Sequence, residues 1–181
     1  MLTVSEAAAL LRSFDRVLIL THIRPDGDTV GCAAGLCAAL RAIGKTAYLL
    51  PNPGLTENTA PYFTPYSAPA DFVPEKVVST DIATVGLFPD NAKSYADKVD
   101  LAIDHHPSFE GFGKANIVRP EAAACGELER EAAEKGALEV ILNNDSWETD
   151  EDYLKLVLAD YTEQVLEYQS EHPGLLVPKN D

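Results

Sequence analysis

Seven side chains in this sequence have the types and spacing that hold divalent cations. His22, Asp26 and Asp28 lie in one short segment, Thr21-His22-Ile23-Arg24-Pro25-Asp26-Gly27-Asp28. Asp81 closes the apolar run that starts near Lys76, and Asp104, His105 and His106 close the run from Val99 to Ile103. Carboxylates gathered in one place repel one another unless a cation neutralises them. Mixed imidazole and carboxylate donors suit Mn²⁺, Fe²⁺ or Zn²⁺, whereas Ca²⁺ and Mg²⁺ prefer oxygen alone. A set this rich in Asp could hold two ions with one carboxylate shared. Ions about 3.5–4 Å apart clamp a phosphoryl group and activate a water for in-line attack.

Each piece taken singly has a plainer reading. Asp26-Gly27-Asp28 is a common turn, and Asp28 could cap a helix. Asp81 alone could be a loop or cap residue. Adjacent histidines in a strand would point to opposite faces. The three strand ends in chain order are far more specific than their parts. The metal reading requires His22, Asp81 and His105 to meet in one site.

The elements that must position these residues alternate. Residues 3–14 read as a helix, capped by Thr3 or Ser5, with Ala7, Leu10, Leu11 and Phe14 at helical spacing. Residues 16–20 read as a buried strand. Pro25 and Gly27 tighten the turn that follows it, and Asp28–Ile43 reads as an Ala- and Leu-rich helix stopped by Gly44. Thr46–Leu50 is a second strand. Strand–helix–strand at this spacing predicts a parallel sheet, and sites in such sheets collect outside the carboxyl ends of the strands. The stretch from Pro51 to Pro74 holds six prolines and reads as a long connection with a short helix around Thr56–Phe63. Lys76–Thr80 and Val99–Ile103 read as strands, with a helical or irregular stretch around Asn91–Lys98 between them. Ala115–Val118 reads as a short strand and Glu121–Lys135 as a helix stopped by Gly136. Beyond it, Leu138–Leu142 reads as a strand and Asp150–Gln169 as an amphipathic helix, before a fraying tail from His172. The fold class is α/β, a doubly wound, mainly parallel sheet flanked by helices.

Composition limits the partners. The net charge is −15, so the chain is a poor general ligand for duplex nucleic acid, whose affinity comes mostly from Lys and Arg. Residues 137–181 carry 11 acidic and 2 basic residues, a sharper imbalance than the 18 and 12 of residues 1–136. This divides the chain into a core, 1–136, and a divergent acidic segment, 137–181. A phosphorylated substrate would need local cations, and metal ions are the obvious supply. No run approaches the length of a membrane helix, and the N-terminus lacks the basic start and apolar core of a signal peptide. The sequence therefore reads as a soluble, cytoplasmic protein. Its three cysteines, Cys32, Cys37 and Cys125, form no C-x-x-C pair and read as buried thiols.

The segments around Asp26, Val78-Ser79-Thr80-Asp81 and Ile103-Asp104-His105-His106-Pro107 resemble the first three motifs of the DHH-family phosphoesterases. The likeness is nearest to the bacterial nanoRNases, oligoribonucleases that also act as 3′-phosphoadenosine 5′-phosphate phosphatases. It extends to Gly31–Lys45 and to Ala124-Cys125-Gly126-Glu127-Leu128, and covers residues 1–136. The resemblance implies that His22 and Asp26 bind one Mn²⁺, that Asp28 and His105 bind a second, and that Asp81 bridges the two. Mg²⁺ or another divalent ion could substitute. His106 would contact the scissile phosphate and Asp104 would support the histidines. The implied partners are short single-stranded RNA, 3′-phosphoadenosine 5′-phosphate or a cyclic dinucleotide; a homodimer is allowed and no membrane is involved.

The family's fourth motif, a Gly-Ile-x-x-Asp-Thr-Gly segment whose Asp binds the second metal, has no match. The corresponding region, Leu142–Asp150, offers Asp145 after an apolar run, or a solvated turn. The family's second, substrate-holding domain is not found either. The alternative to an enzyme is therefore a truncated, catalytically impaired remnant that binds metal or nucleotide.

Overall fold

A computed structural model describes residues 1–122 and Cys125. The expected strand Leu138–Leu142, the helix Asp150–Gln169, the tail, Asp145 and the boundary at residue 136 lie outside the described residues, as does most of the helix Glu121–Lys135.

The first helix, α1, runs Val4–Ser13. Thr3 caps it: the Thr3 hydroxyl accepts the Glu6 N–H, and the Glu6 carboxylate accepts the Thr3 N–H at 2.8 Å. This reciprocal pair satisfies two backbone donors that a helix start leaves open. Strand β1 follows at Val17–Leu20, then α2 at Gly27–Ala42 and β2 at Ala47–Leu49. Helix α2 ends as its sequence implies. Gly44 adopts φ +78°, its N–H donates to the Arg41 carbonyl, and the Lys45 N–H donates to the Leu40 carbonyl; these are the two bonds of a Schellman stop.

The Pro-rich connection holds only the short helix α3, Ala60–Phe63, and a 3₁₀ turn at Thr64–Tyr66. Strand β3 is Lys76–Thr80, β4 is Leu101–Asp104 and β5 is Ala115–Val118. The stretch before β4 forms 3₁₀ turns at Val85–Leu87 and Lys93–Lys98.

The five strands make one sheet in the order β2-β1-β3-β4-β5, and every pair is parallel. Alternation along the strands splits the core between the two faces. Val17, Ile19, Val78, Leu101 and Ile103 pack with α1 and α2 on one face. Leu18, Leu20, Val77 and Ala102 pack on the other with Phe88, Ala92 and Val99, which come from the 3₁₀ turns and their flanks. All three cysteines are buried and outside any disulfide.

The strand order sets the site. The chain leaves β1 in one direction to reach β2, and the later strands add on the other side of β1. The order reverses between β1 and β3, and the loops that leave their carboxyl ends diverge to open a crevice. Those loops carry His22 and Asp81, and the next strand along delivers Asp104, His105 and His106.

Candidate metal centre

Asp81 is the residue on which the others converge. It follows β3 directly and takes a left-handed backbone conformation, φ +57°, which Asp tolerates better than most residues. Its N–H still donates to the Ile103 carbonyl at 2.9 Å, so the turn is anchored to β4. The side chain is 3% exposed. Oδ2 accepts the Thr29 hydroxyl at 2.5 Å. Oδ1 is buried without a hydrogen-bond partner. Burial pushes the Asp81 carboxyl up to about 6; the Thr29 hydrogen bond opposes this, and the negative charges of Asp28 and Asp26 add to it.

On the β1 side, His22 Nε2 lies 3.7 Å from Asp81 Oδ2 and 3.9 Å from Asp26 Oδ2. Asp26 is the N-cap of α2: its Oδ1 accepts the Thr29 N–H at 3.0 Å, leaving Oδ2 toward His22. The capping role considered for Asp28 thus belongs to Asp26, because the helix begins one residue earlier than the apolar pattern implies. Asp28 lies in the first turn, where the helix dipole favours an anion. Burial holds the His22 imidazole below its usual range, against the pull of Asp26. A neutral imidazole is the form that binds a metal.

On the β4 side, His105 Nε2 lies 3.5 Å from Asp81 Oδ1 and 3.7 Å from Asp28 Oδ2. Its Nδ1 lies 3.2 Å from the Ala122 carbonyl. Donation to that carbonyl places the ring proton on Nδ1 and leaves Nε2 bare toward the carboxylates. Asp28 is itself held: the Cys125 N–H donates to Oδ2 at 2.9 Å, and the Cys32 thiol lies 3.2 Å from Oδ1.

His105 and His106 do not face opposite ways. Both lie past the last residue of β4, where the pleat no longer governs side-chain direction, and both come within 3.5 Å of Asp81 Oδ1. Asp104 turns His106 inward, its Oδ1 accepting the His106 N–H at 2.6 Å and lying 2.8 Å from His106 Nδ1. Asp104 is fully buried, and His106 is the more exposed of the pair.

The residues present fit divalent cations. Among the described residues, two clusters have ligand atoms within 4.8 Å of one another, His22 with Asp26 and Asp81, and Asp81 with His105 and His106. Asp81 belongs to both. Its unpartnered Oδ1 and the packing of carboxylates against imidazoles are what a cation would relieve. Sequence reasoning did not find Thr29, the Cys32 thiol, the Cys125 N–H or the Ala122 carbonyl. Thr29 carries the one available signal, a polar residue fully buried in the first turn of a helix that starts at the site.

A crystal structure of an exopolyphosphatase-related protein from Bacteroides fragilis matches with a TM-score of 0.58 at 21% identity, over 76% of this chain and 45% of that one; this likeness shows the fold. The bifunctional oligoribonuclease and PAP phosphatase NrnA of Thermus thermophilus is 32% identical over 113 residues, 62% of this chain and 34% of that protein. The MG371 homolog of Mycoplasma pneumoniae is 26% identical over 125 residues, 65% of this chain and 38% of that protein. The chain thus spans little more than a third of the length of these curated relatives. The family model for the DHH family, N-terminal domain, matches residues 16–159, which take in all seven residues of the strand-end cluster. The chain is a member of the DHH family, matched through that family's N-terminal domain.

Proposed function

We propose that the chain is a two-metal phosphoesterase that hydrolyses phosphate esters of small nucleotides. The observation that carries this reading is the sharing of one buried carboxylate, Asp81, by two clusters of metal-ligand atoms. His22, Asp26 and Asp81 would hold one ion; Asp81 and His105 would hold the second, with Asp28, whose Oδ2 lies 3.7 Å from His105 Nε2, as a further donor and His106 beside them. The mixed donor set suits Mn²⁺, Fe²⁺ or Zn²⁺; of these the family resemblance points to Mn²⁺, with Mg²⁺ or another divalent ion as a substitute. Bound there, the ions supply an activated water and neutralise charge on the phosphate oxygens.

The protein's own groups do the rest. Asp104 Oδ1 accepts a hydrogen bond from His106 Nδ1–H, which orients the ring so that Nε2 would face a phosphate oxygen. Thr29 and the Cys125 N–H hold the Asp81 and Asp28 carboxylates that flank His105, so these two need not be ordered when substrate arrives. No protein nucleophile is required.

Short single-stranded RNA, 3′-phosphoadenosine 5′-phosphate and cyclic dinucleotides are the proposed substrates. The Thermus relative is named for the first two of these activities. A net charge of −15 argues against duplex nucleic acid as a partner. Among the described residues no helix is long and apolar enough to cross a membrane. The proposed setting is the cytoplasm.

The test is release of mononucleotide from a 5′-phosphorylated RNA dinucleotide, ring opening of a cyclic dinucleotide, and release of inorganic phosphate from 3′-phosphoadenosine 5′-phosphate, by purified protein with and without Mn²⁺. Turnover is expected with Mn²⁺ and lost in Asp81→Asn. Failure to turn over any of the three substrate types with Mn²⁺ or Mg²⁺ overturns the enzymatic reading. Retained metal or nucleotide binding would then favour a binding role.

A further inference from the structure

The His22 peptide is gripped from two sides by residues that are not themselves ligands. Asn52, 6% exposed, lies in the Pro-rich connection just past β2. Its Nδ2 donates to Thr21 Oγ1 at 2.9 Å and to the His22 carbonyl at 2.8 Å. Its Oδ1 accepts the Gly54 N–H at 2.8 Å, which folds the chain back in an Asx turn. That turn lays Gly54 against the next peptide of the site loop. A Cβ on Gly54 would stand 2.1 Å from the Ile23 carbonyl oxygen, a backbone atom that cannot swing aside. On the opposite side, the Ile23 N–H donates to the Leu87 carbonyl at 2.8 Å. Asn91 Nδ2 donates to the Pro51 carbonyl at 2.7 Å and ties the two arms together.

The His22 carbonyl and the Ile23 N–H are therefore each held by a separate hydrogen bond, and Gly54 leaves room for the Ile23 carbonyl. A histidine in a loop has no pleat or helix to aim it, and such a ligand is only as precise as its support. We infer that Asn52 and Gly54 are positioning residues that aim His22 at Asp26 and Asp81 and so set the cation affinity of the His22 side. This inference rests on the metal-centre reading above.

The test is calorimetric titration of Mn²⁺ into the metal-free full-length chain, paired with NMR of the histidine imidazoles in the same metal-free protein. Asn52→Ala and Gly54→Ala are expected to weaken Mn²⁺ binding about tenfold or more. They should also shift the His22 ring resonances while those of His105 and His106 stay in place. A merely structural role would lower the melting temperature and leave both readouts unmoved. If Asn52→Ala does not fold, Asn52→Asp replaces it, since it keeps the acceptor for Gly54 and loses both donors; if Gly54→Ala does not fold, the Asn52 variants decide the inference. Unchanged Mn²⁺ affinity in a folded variant overturns the inference. If the unmodified protein binds no Mn²⁺, the metal-centre reading falls instead. The His22 resonances then decide by themselves whether Asn52 and Gly54 position the ring.

Discussion

The Thr29 hydroxyl lies 2.5 Å from Asp81 Oδ2 and joins the first turn of α2 to the residue that closes β3. Thr29 is fully buried, so this donor has no water to replace it. Thr29→Val removes the hydroxyl at nearly constant volume and leaves both carboxylate oxygens without a donor. The expected loss is about 1–2 kcal/mol, read as a lower urea midpoint with an unchanged slope.

Asp81→Asn should move stability and metal response in opposite directions. The buried carboxylate is disfavoured where it stands, and its Oδ1 lacks a hydrogen-bond partner. A neutral amide removes that charge, and Asn accepts the left-handed backbone at φ +57°. The metal-free variant is expected to gain about 1 kcal/mol, roughly 2–4 °C in melting temperature. Its melting temperature should no longer rise with Mn²⁺, whereas that of the unmodified protein should. Calorimetric scans with and without the ion check both halves.

Two glycines flank opposite expectations. Gly35 lies inside α2 with open space where a Cβ would go, so Gly35→Ala should stabilise by about 0.5–1 kcal/mol through the unfolded chain's lost freedom. Gly44 has the same open space but φ +78°, so Gly44→Ala should destabilise by about 1 kcal/mol through backbone strain alone. Denaturant midpoints of the two variants should move apart.

Cys37 gives a pH-dependent contribution of known sign. Its thiol is fully buried, 3.3 Å from the Ala47 carbonyl, and burial pushes it from 9.0 up to about 11, with Arg41 opposing. The folded state thus favours the neutral thiol. That contribution is complete below pH 9.0 and is lost as the pH rises through about 11. The stability advantage over Cys37→Ala should therefore shrink across that window, measured as paired urea midpoints. Alkylation of Cys37 in the folded protein should be slow at pH 8.

The strands were legible because each is a short, largely apolar run, most of them stopping at a polar residue and β2 at Pro51. The described termini of α1, α2 and β1 to β5 fall within two residues of those read from the pattern. The site side chains sit at those stops, so their gathering at one edge followed from a parallel sheet. What was not legible depends on partners distant in sequence. The position of β1 between β2 and β3 arises from crossovers that no local pattern encodes. Asn52 lies among prolines, and its meaning comes from a carbonyl 30 residues earlier. Strand alternation misread His105 and His106 because it was applied past the last residue of β4.

The convergence on Asp81 also bears on kinetics. The groups that meet there come from loops after β1, β3 and β4, spread from His22 to His106. Those loops come together only after long stretches of chain have been closed, which is costly in entropy and late in folding. A cation held across them would act as a staple on the finished sheet. It should slow unfolding and leave the refolding rate nearly unchanged, because the contacts it strengthens are absent from the transition state.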